Sequence, residues 1–240
     1  MLRNFLSPED AQRASATLVK LARHDVSRWT LTGGFAVEIH CLRGGSAPSL
    51  RPLNDIDFMA DGFDCVPGTL AGDFLFRHIH PLDPPGKTML QFVDTEPAVL
   101  IDLFRARGAI IGRDVSVDLP SGRIQLVSLE DLVARTARLV LDLADAVPVP
   151  PKHAHDYRRL VELVNPSQVE AAWQDHRKPK HPATFQEANA VLRNLIPSRL
   201  DLLITPHYSK DIGEICPRCT PAPPFQLADA STVLSLLGYC

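Results

Sequence analysis

No apolar run in this sequence approaches the roughly 20 residues that a bilayer-spanning helix needs, so no membrane segment is expected. Its first residues, MLRNFLSPEDAQ, lack the apolar core of a secretory signal. Cysteine is scarce and odd in number, five in all, and Cys41 and Cys65 stand apart from the rest. A disulfide framework is therefore disfavoured, and a reduced, cytoplasmic setting is expected. Excess positive charge is missing too: the net charge is −3 and the pI near 6.3. Such a balance gives no global attraction to nucleic acid, so a polynucleotide partner would need a local basic patch, and no stretch of the sequence is decisive as one. What the sequence does have is 240 residues, 45% of them hydrophobic and 22% charged. That suffices for one substantial core and a smaller helical module.

The stretch from Trp29 to Ala60, WTLTGGFAVEIHCLRGGSAPSLRPLNDIDFMA, carries the most chemistry. A short apolar strand (29–32) reaches Gly33-Gly34, a helix follows over 35–42, and a Gly/Pro/Ser-rich loop leads to a strand bearing Asp55 and Asp57. Side chains at i and i+2 of a strand leave the same face, so the two carboxylates point together while Ile56 and Phe58 serve the core. Paired carboxylates repel, and a cation between them relieves that repulsion. A Gly-Gly junction lets backbone approach a ligand closely, and the helix N-terminus beyond it offers free N–H groups to phosphate. A third carboxylate, Asp102, interrupts the apolar run AVLIDLF, and a buried strand rarely admits a charge without a partner. Three acids converging from two strands beside a glycine-lined pocket describe a Mg²⁺ site completed by a triphosphate.

Elsewhere the pattern predicts a helix over 8–25 with Ser7 as N-cap, and a helix over 66–74 entered through Pro67. Strands are expected over 74–80, 87–92 and 98–104, the last two as a hairpin delivering Asp102, with a second hairpin over 110–117 and 123–127. The loop 43–53 frames the mouth of the pocket, where Arg43 or Arg51 could meet a phosphate. Helices are expected from Ser128 to about Ala144, over 152–164, 167–176 and 184–195, and a short one over 229–237. Lys152 and Asp156 sit four apart, open either to an i,i+4 ion pair or to a phosphate role in which Asp156 orients the lysine or a nearby arginine. The linker Arg177–His181 is the best contiguous candidate for RNA phosphates.

The order LTGG, NDIDF, LIDLF resembles the polymerase-β-like nucleotidyltransferase superfamily. The later segments SLEDLVARTARLVLDL and PPKHAHDYRRLVEL resemble the helical part of its AbiEii-type toxin and minimal nucleotidyltransferase branch, the likeness covering about residues 10–165. This resemblance implies an α+β fold, a mixed β-sheet flanked by helices and followed by a helical C-terminal region. The division expected is a catalytic domain over 1–127 and a helical region with a CxxC-containing tail over 128–240. It implies transfer of an NMP from an NTP to a hydroxyl, with Asp55, Asp57 and Asp102 as catalytic and metal-binding residues for Mg²⁺ or Mn²⁺. Gly33 and Gly34 would cradle phosphates, with Lys152 and Asp156 also on the nucleotide. Acceptors across the superfamily include tRNA or other RNA, proteins and small molecules, and the toxin branch implies an antitoxin protein as partner. The family lysine in the helix after Ser128 is replaced here by Thr136, and Arg135 or Arg138 could supply the charge. The competing expectation is an inactive nucleotide-binding or interaction module of the same fold.

Two histidines, His78 and His80, alternate on one strand without a third ligand nearby. Near the end, Cys216 and Cys219 form a single CxxC whose obvious further zinc ligands are only His207 and Cys240, a spacing that fits no standard zinc site. A plain reduced turn is favoured there over zinc.

Overall fold

The computed structural model describes residues 1–77, 89–119 and 122–204, with the backbone of 225–226. The expectations for His78, His80, the turn at 83–86, the CxxC with His207 and Cys240, and the helix over 229–237 lie outside the described residues. Strands β1 (Thr30–Leu31), β2 (Asp55–Ala60), β3 (Leu75–Arg77), β4 (Met89–Asp94), β5 (Val99–Arg105), β6 (Val115–Leu119), β7 (Gly122–Leu126) and β8 (Phe225–Gln226) form one mixed sheet. Its order is β6-β7-β1-β2-β5-β4-β3-β8. The pairs β1–β7 and β2–β5 are parallel and the others antiparallel. The α-helices are α1 (Pro8–Leu21), α2 (Gly33–Arg43), α3 (Leu129–Val140), α4 (Pro151–Val161), α5 (Glu170–His176) and α6 (Phe185–Ser198). This is the α+β architecture expected, a mixed sheet with helices and a helical region after it.

The alternation on the central strands decides which face is which. Ile56 and Phe58 of β2, Ile101 and Leu103 of β5 and Phe92 of β4 are fully buried on one face. There Trp29 meets Phe58 and Phe92 at ring-centroid distances of 5.6 Å each, and Phe74 meets Phe92 at 5.7 Å. Each such ring removes about 2–3 kcal/mol worth of apolar surface from water, so this face holds β2 and β5 rigidly. The opposite face carries Asp55, Asp57, Gln91 and Asp102, with Met59 and Phe104 beside them.

Several boundaries differ from the sequence expectation. The helix α1 stops at Leu21, and His24 beyond it turns to Thr69 and Asp73, at 2.8 Å each. Residues Gly68–Gly72 form a 3₁₀ turn rather than a helix, a short segment with glycine at both ends. Ile111–Arg113 is likewise 3₁₀, because Arg113 is drawn to Asp131, so the strand begins only at Val115. The caps read at the starts of α1 and α3 hold, Ser7 accepting from Asp10 N and Ser128 from Asp131 N; α6 adds a capping box of Thr184 and Glu187 that was not read from the sequence.

Candidate functional site

The parallel pairing of β2 with β5 sets Asp57 opposite Asp102 in register, and Asp55 lies two residues back on the same face. Each of the three carboxylates can place one oxygen within 4.8 Å of the others. Asp102 also accepts from Nε2 of Gln91, its cross-strand neighbour on β4, at 2.5 Å. Burial pushes the Asp57 carboxyl up to about 7; Asp55 and Asp102 add to this by repulsion, while Arg135 and Lys152 oppose it. A carboxylate set this close is suited to a hard divalent cation, because the oxygen donors and their stacked negative charge match Mg²⁺ or Mn²⁺.

Gly33 opens α2 at φ +64, and a Cβ there would fall 1.7 Å from Asp57 Oδ2. The glycine is therefore required both by its backbone and by the carboxylate lying against it. At Gly34 an added Cβ would make only ordinary contact, 3.5 Å from Arg51 Nη1. Thr32 makes no side-chain cap to α2, its hydroxyl accepting instead from Arg135 Nη1 at 3.2 Å, so the first-turn N–H groups remain available to an anion.

These residues line one cavity of about 550 Å³, whose other walls come from the 49–54 loop, α3 and α4. Asp55, Asp57, Asp102, Gly33, Gly34, Lys152 and Asp156 all lie on it. Lys152 and Asp156 do not pair with each other. Asp156 is buried and binds Arg51, whereas Lys152 is exposed and makes no hydrogen bond or ion pair among the described residues. Arg51, which enters from the loop, is the arginine that Asp156 orients. Its Nε donates to Glu38 Oε1 at 2.6 Å, and Arg159 of α4 reaches the same carboxylate at 2.6 and 2.8 Å. Ser49 N completes the cage around Glu38 at 2.9 Å. Glu38 thus clamps the pocket-framing loop between α2 and α4, and these partners outweigh its burial and keep its carboxyl below the usual range. The signal for this clamp was present in FAVEIHCL, a lone charge in an apolar helix.

Thr136 cannot replace the expected lysine: its hydroxyl donates back to the carbonyls of Leu132 (2.8 Å) and Val133 (3.1 Å) within α3. The neighbouring Arg135 occupies the site instead, packed 5.6 Å over the Phe104 ring and close to Asp57, while Arg138 lies outside this cavity. His153, unanticipated from the sequence, lines the same wall, and burial together with Lys152, Arg135 and Arg51 pushes its imidazole down to about 4. The cavity therefore sets three acids against a cationic wall of Arg51, Arg135 and Lys152, the charge arrangement that accommodates a metal-bound polyphosphate.

No protein-family model and no curated protein matches this chain. Among solved structures it is similar to the solution structure of the antibiotic-resistance factor ANT(2'')-Ia, at 17% identity over 76% of this chain and 95% of that one, TM-score 0.42. It is also similar to an antigenic nucleotidyltransferase-like protein from Paracoccidioides brasiliensis, at 17% identity over 80% and 90% of the two chains, TM-score 0.41. Likeness at this level assigns neither activity nor substrate.

Proposed function

We propose that this protein is a metal-dependent nucleotidyltransferase that moves an NMP from an NTP to a hydroxyl acceptor. The observation that carries the reading is the carboxylate set of Asp55, Asp57 and Asp102 facing the Gly33-Gly34 helix start across one cavity. Asp55, Asp57 and Asp102 would hold Mg²⁺ or Mn²⁺; bound there, such ions neutralise phosphate charge and stabilise attacking and leaving oxygens. The backbone N–H groups at Gly33 and Gly34 receive the β- and γ-phosphates, and Arg51, Arg135 and Lys152 balance their charge. The acceptor oxygen attacks the α-phosphorus, the bond to the bridging oxygen breaks, and pyrophosphate leaves with that electron pair. Asp102 takes the proton of the attacking hydroxyl. Most of the rate enhancement then comes from positioning and charge complementarity.

The resemblance of α3 and α4 to AbiEii-type toxins extends this proposal to a catalytic domain over 1–127 with a helical region over 128–240, and to an antitoxin partner. Ligand stabilisation tests the core of it. A nonhydrolysable NTP analogue with Mn²⁺ at 100 times its Kd should add about 2.7 kcal/mol to the stability of the wild type. Asp57→Asn and Asp102→Asn should lose that increment while unfolding at a similar temperature without ligand. Equal stabilisation of wild type and both variants would refute the site.

A further inference from the structure

On the far side of Arg135 and Phe104 lies a second cavity, of about 690 Å³. Arg105 and Arg107 enter it from the end of β5, Arg138 from α3, and Arg177 and Lys178 from the segment after α5. Asp175 is the one acidic side chain among its described lining residues, and its carboxylate is already engaged by Arg113 Nη2 at 2.7 Å and by Ala109 N at 3.0 Å. Lys178 is paired with Asp142, and Arg177 donates to Gln174 Oε1 at 2.7 Å. The side chains of Arg105, Arg107 and Arg138, by contrast, make no hydrogen bond or ion pair among the described residues. In a chain of net charge −3, arginines from three separate elements face one cleft with no acid left to answer them among its described lining residues.

We infer that this cleft binds the phosphodiester backbone of a nucleic-acid strand whose 3′ end is the acceptor, an inference that rests on the nucleotidyl-transfer reading for the identity of the reacting end. Planar guanidinium groups suit phosphate oxygens bidentately, and a line of them suits an anion that repeats. The cleft also adjoins the reaction site across a shared wall. Phe104 and Arg135 line both cavities, and Asp102 lies two residues before Phe104 on the same face of β5, roughly 7 Å along the strand. A strand lying along Arg107 and Arg105 therefore brings its terminal hydroxyl to Asp102. The 3′ oxygen bonds to the α-phosphorus, pyrophosphate leaves, the proton passes to Asp102, and the strand grows by one nucleotide. A cationic small-molecule acceptor is disfavoured by the same arginines.

The test is fluorescence anisotropy of the full chain with 5′-labelled 12-nucleotide RNA and DNA strands, beside binding of Mn²⁺ and a nonhydrolysable NTP analogue. Arg105→Glu/Arg107→Glu should weaken strand binding at least tenfold, and Arg138→Ala should weaken it less. The slope of log K against log salt should become shallower by about 1.4 in the double variant, at roughly 0.7 for each phosphate no longer neutralised. Nucleotide-analogue binding should be unchanged. Arg105→Gln/Arg107→Gln serves should the charge reversal disturb folding, with a smaller loss expected in the same direction. Tight RNA binding with weak DNA binding supports the inference and fixes the strand type. Unchanged strand binding in the variants, or equal competition by poly-glutamate, overturns it in favour of another acceptor. Because the strand arm needs no nucleotide, loss of analogue binding in the wild type would instead count against the reading of the catalytic pocket alone.

Discussion

Gly33 is the residue on which the site's geometry turns. Its φ of +64 would cost an alanine on the order of 1–2 kcal/mol, and the new Cβ would also displace the Asp57 carboxylate, whose Oδ2 would lie only 1.7 Å away. Gly33→Ala should therefore lower the melting temperature and weaken Mn²⁺ binding in calorimetry, whereas Gly34→Ala, with open contact at 3.5 Å, should do little. Should both behave alike, the carboxylate is not held where the glycine leaves room for it. His153 reports on the opposite wall. Its imidazole is held down to about 4 by burial and by Lys152, Arg135 and Arg51, so the unfolded chain binds the proton more readily and His153 favours folding as pH rises from about 4 towards 6.5. An NMR titration of the nucleotide-free protein should find its midpoint near 4, and Lys152→Ala should raise that midpoint. An unmoved midpoint would place Lys152 away from the ring.

Individual elements were legible in the sequence to the extent that their pattern was local. The i, i+2 acids marked β2, an apolar run marked β5 and a turn followed by a β-like segment marked β4, while caps identified α1 and α3, because each signal lies within a few residues. The acidic set was readable for the same reason, since i, i+2 spacing and a charge in an apolar strand announce themselves. Arg135 as the substitute for the missing lysine was named from the sequence only beside Arg138. The Glu38 partner of Arg51 and the joining of Arg105 and Arg107 to Arg177 and Lys178 in one cleft were not readable, because these contacts link residues 13 to more than 100 positions apart or lie on separate elements. The docking of α3 onto α5 is of this kind. Asp131, fully buried, accepts from Arg113 at 2.7 and 2.9 Å and lies 3.1 Å from His176 Nε2, and these partners, with Ser128, overcome its burial and hold its carboxyl down to about 2. A depressed carboxylate stabilises above its unfolded pKa of about 3.8 and loses that contribution as pH falls through about 2. Acid unfolding followed by circular dichroism should accordingly show a stability loss of order 2 kcal/mol in that window. Asp131→Ala should cost about 1–3 kcal/mol at neutral pH, removing one of the two carboxylates that hold Arg113 and the acceptor beside His176. A variant as stable as wild type would mean that α3 and α5 are held by apolar contacts alone.

At the scale of the whole molecule, one face of the sheet is given to an aromatic core and the other to a carboxylate cluster. Arg51 of the loop before β2, with Arg135 of α3 and Lys152 of α4, supplies the cations that face it, and Arg135 and Phe104 stand between the two cavities. The net charge of −3 conceals this separation of acidic and basic faces, which is why composition alone gave no indication of a polyanionic partner. The most direct measurement is incubation of the full chain with each α-³²P-labelled NTP, Mg²⁺ and total cellular RNA, resolved on a denaturing gel, beside Asp55→Ala/Asp57→Ala. Nucleotidyl transfer to a strand predicts label on an RNA band with wild-type protein alone, abolished in the variant while its circular dichroism spectrum is retained. Label transferred equally well by the variant, or no transfer to any RNA, protein or small-molecule acceptor in the same reaction, would contradict it.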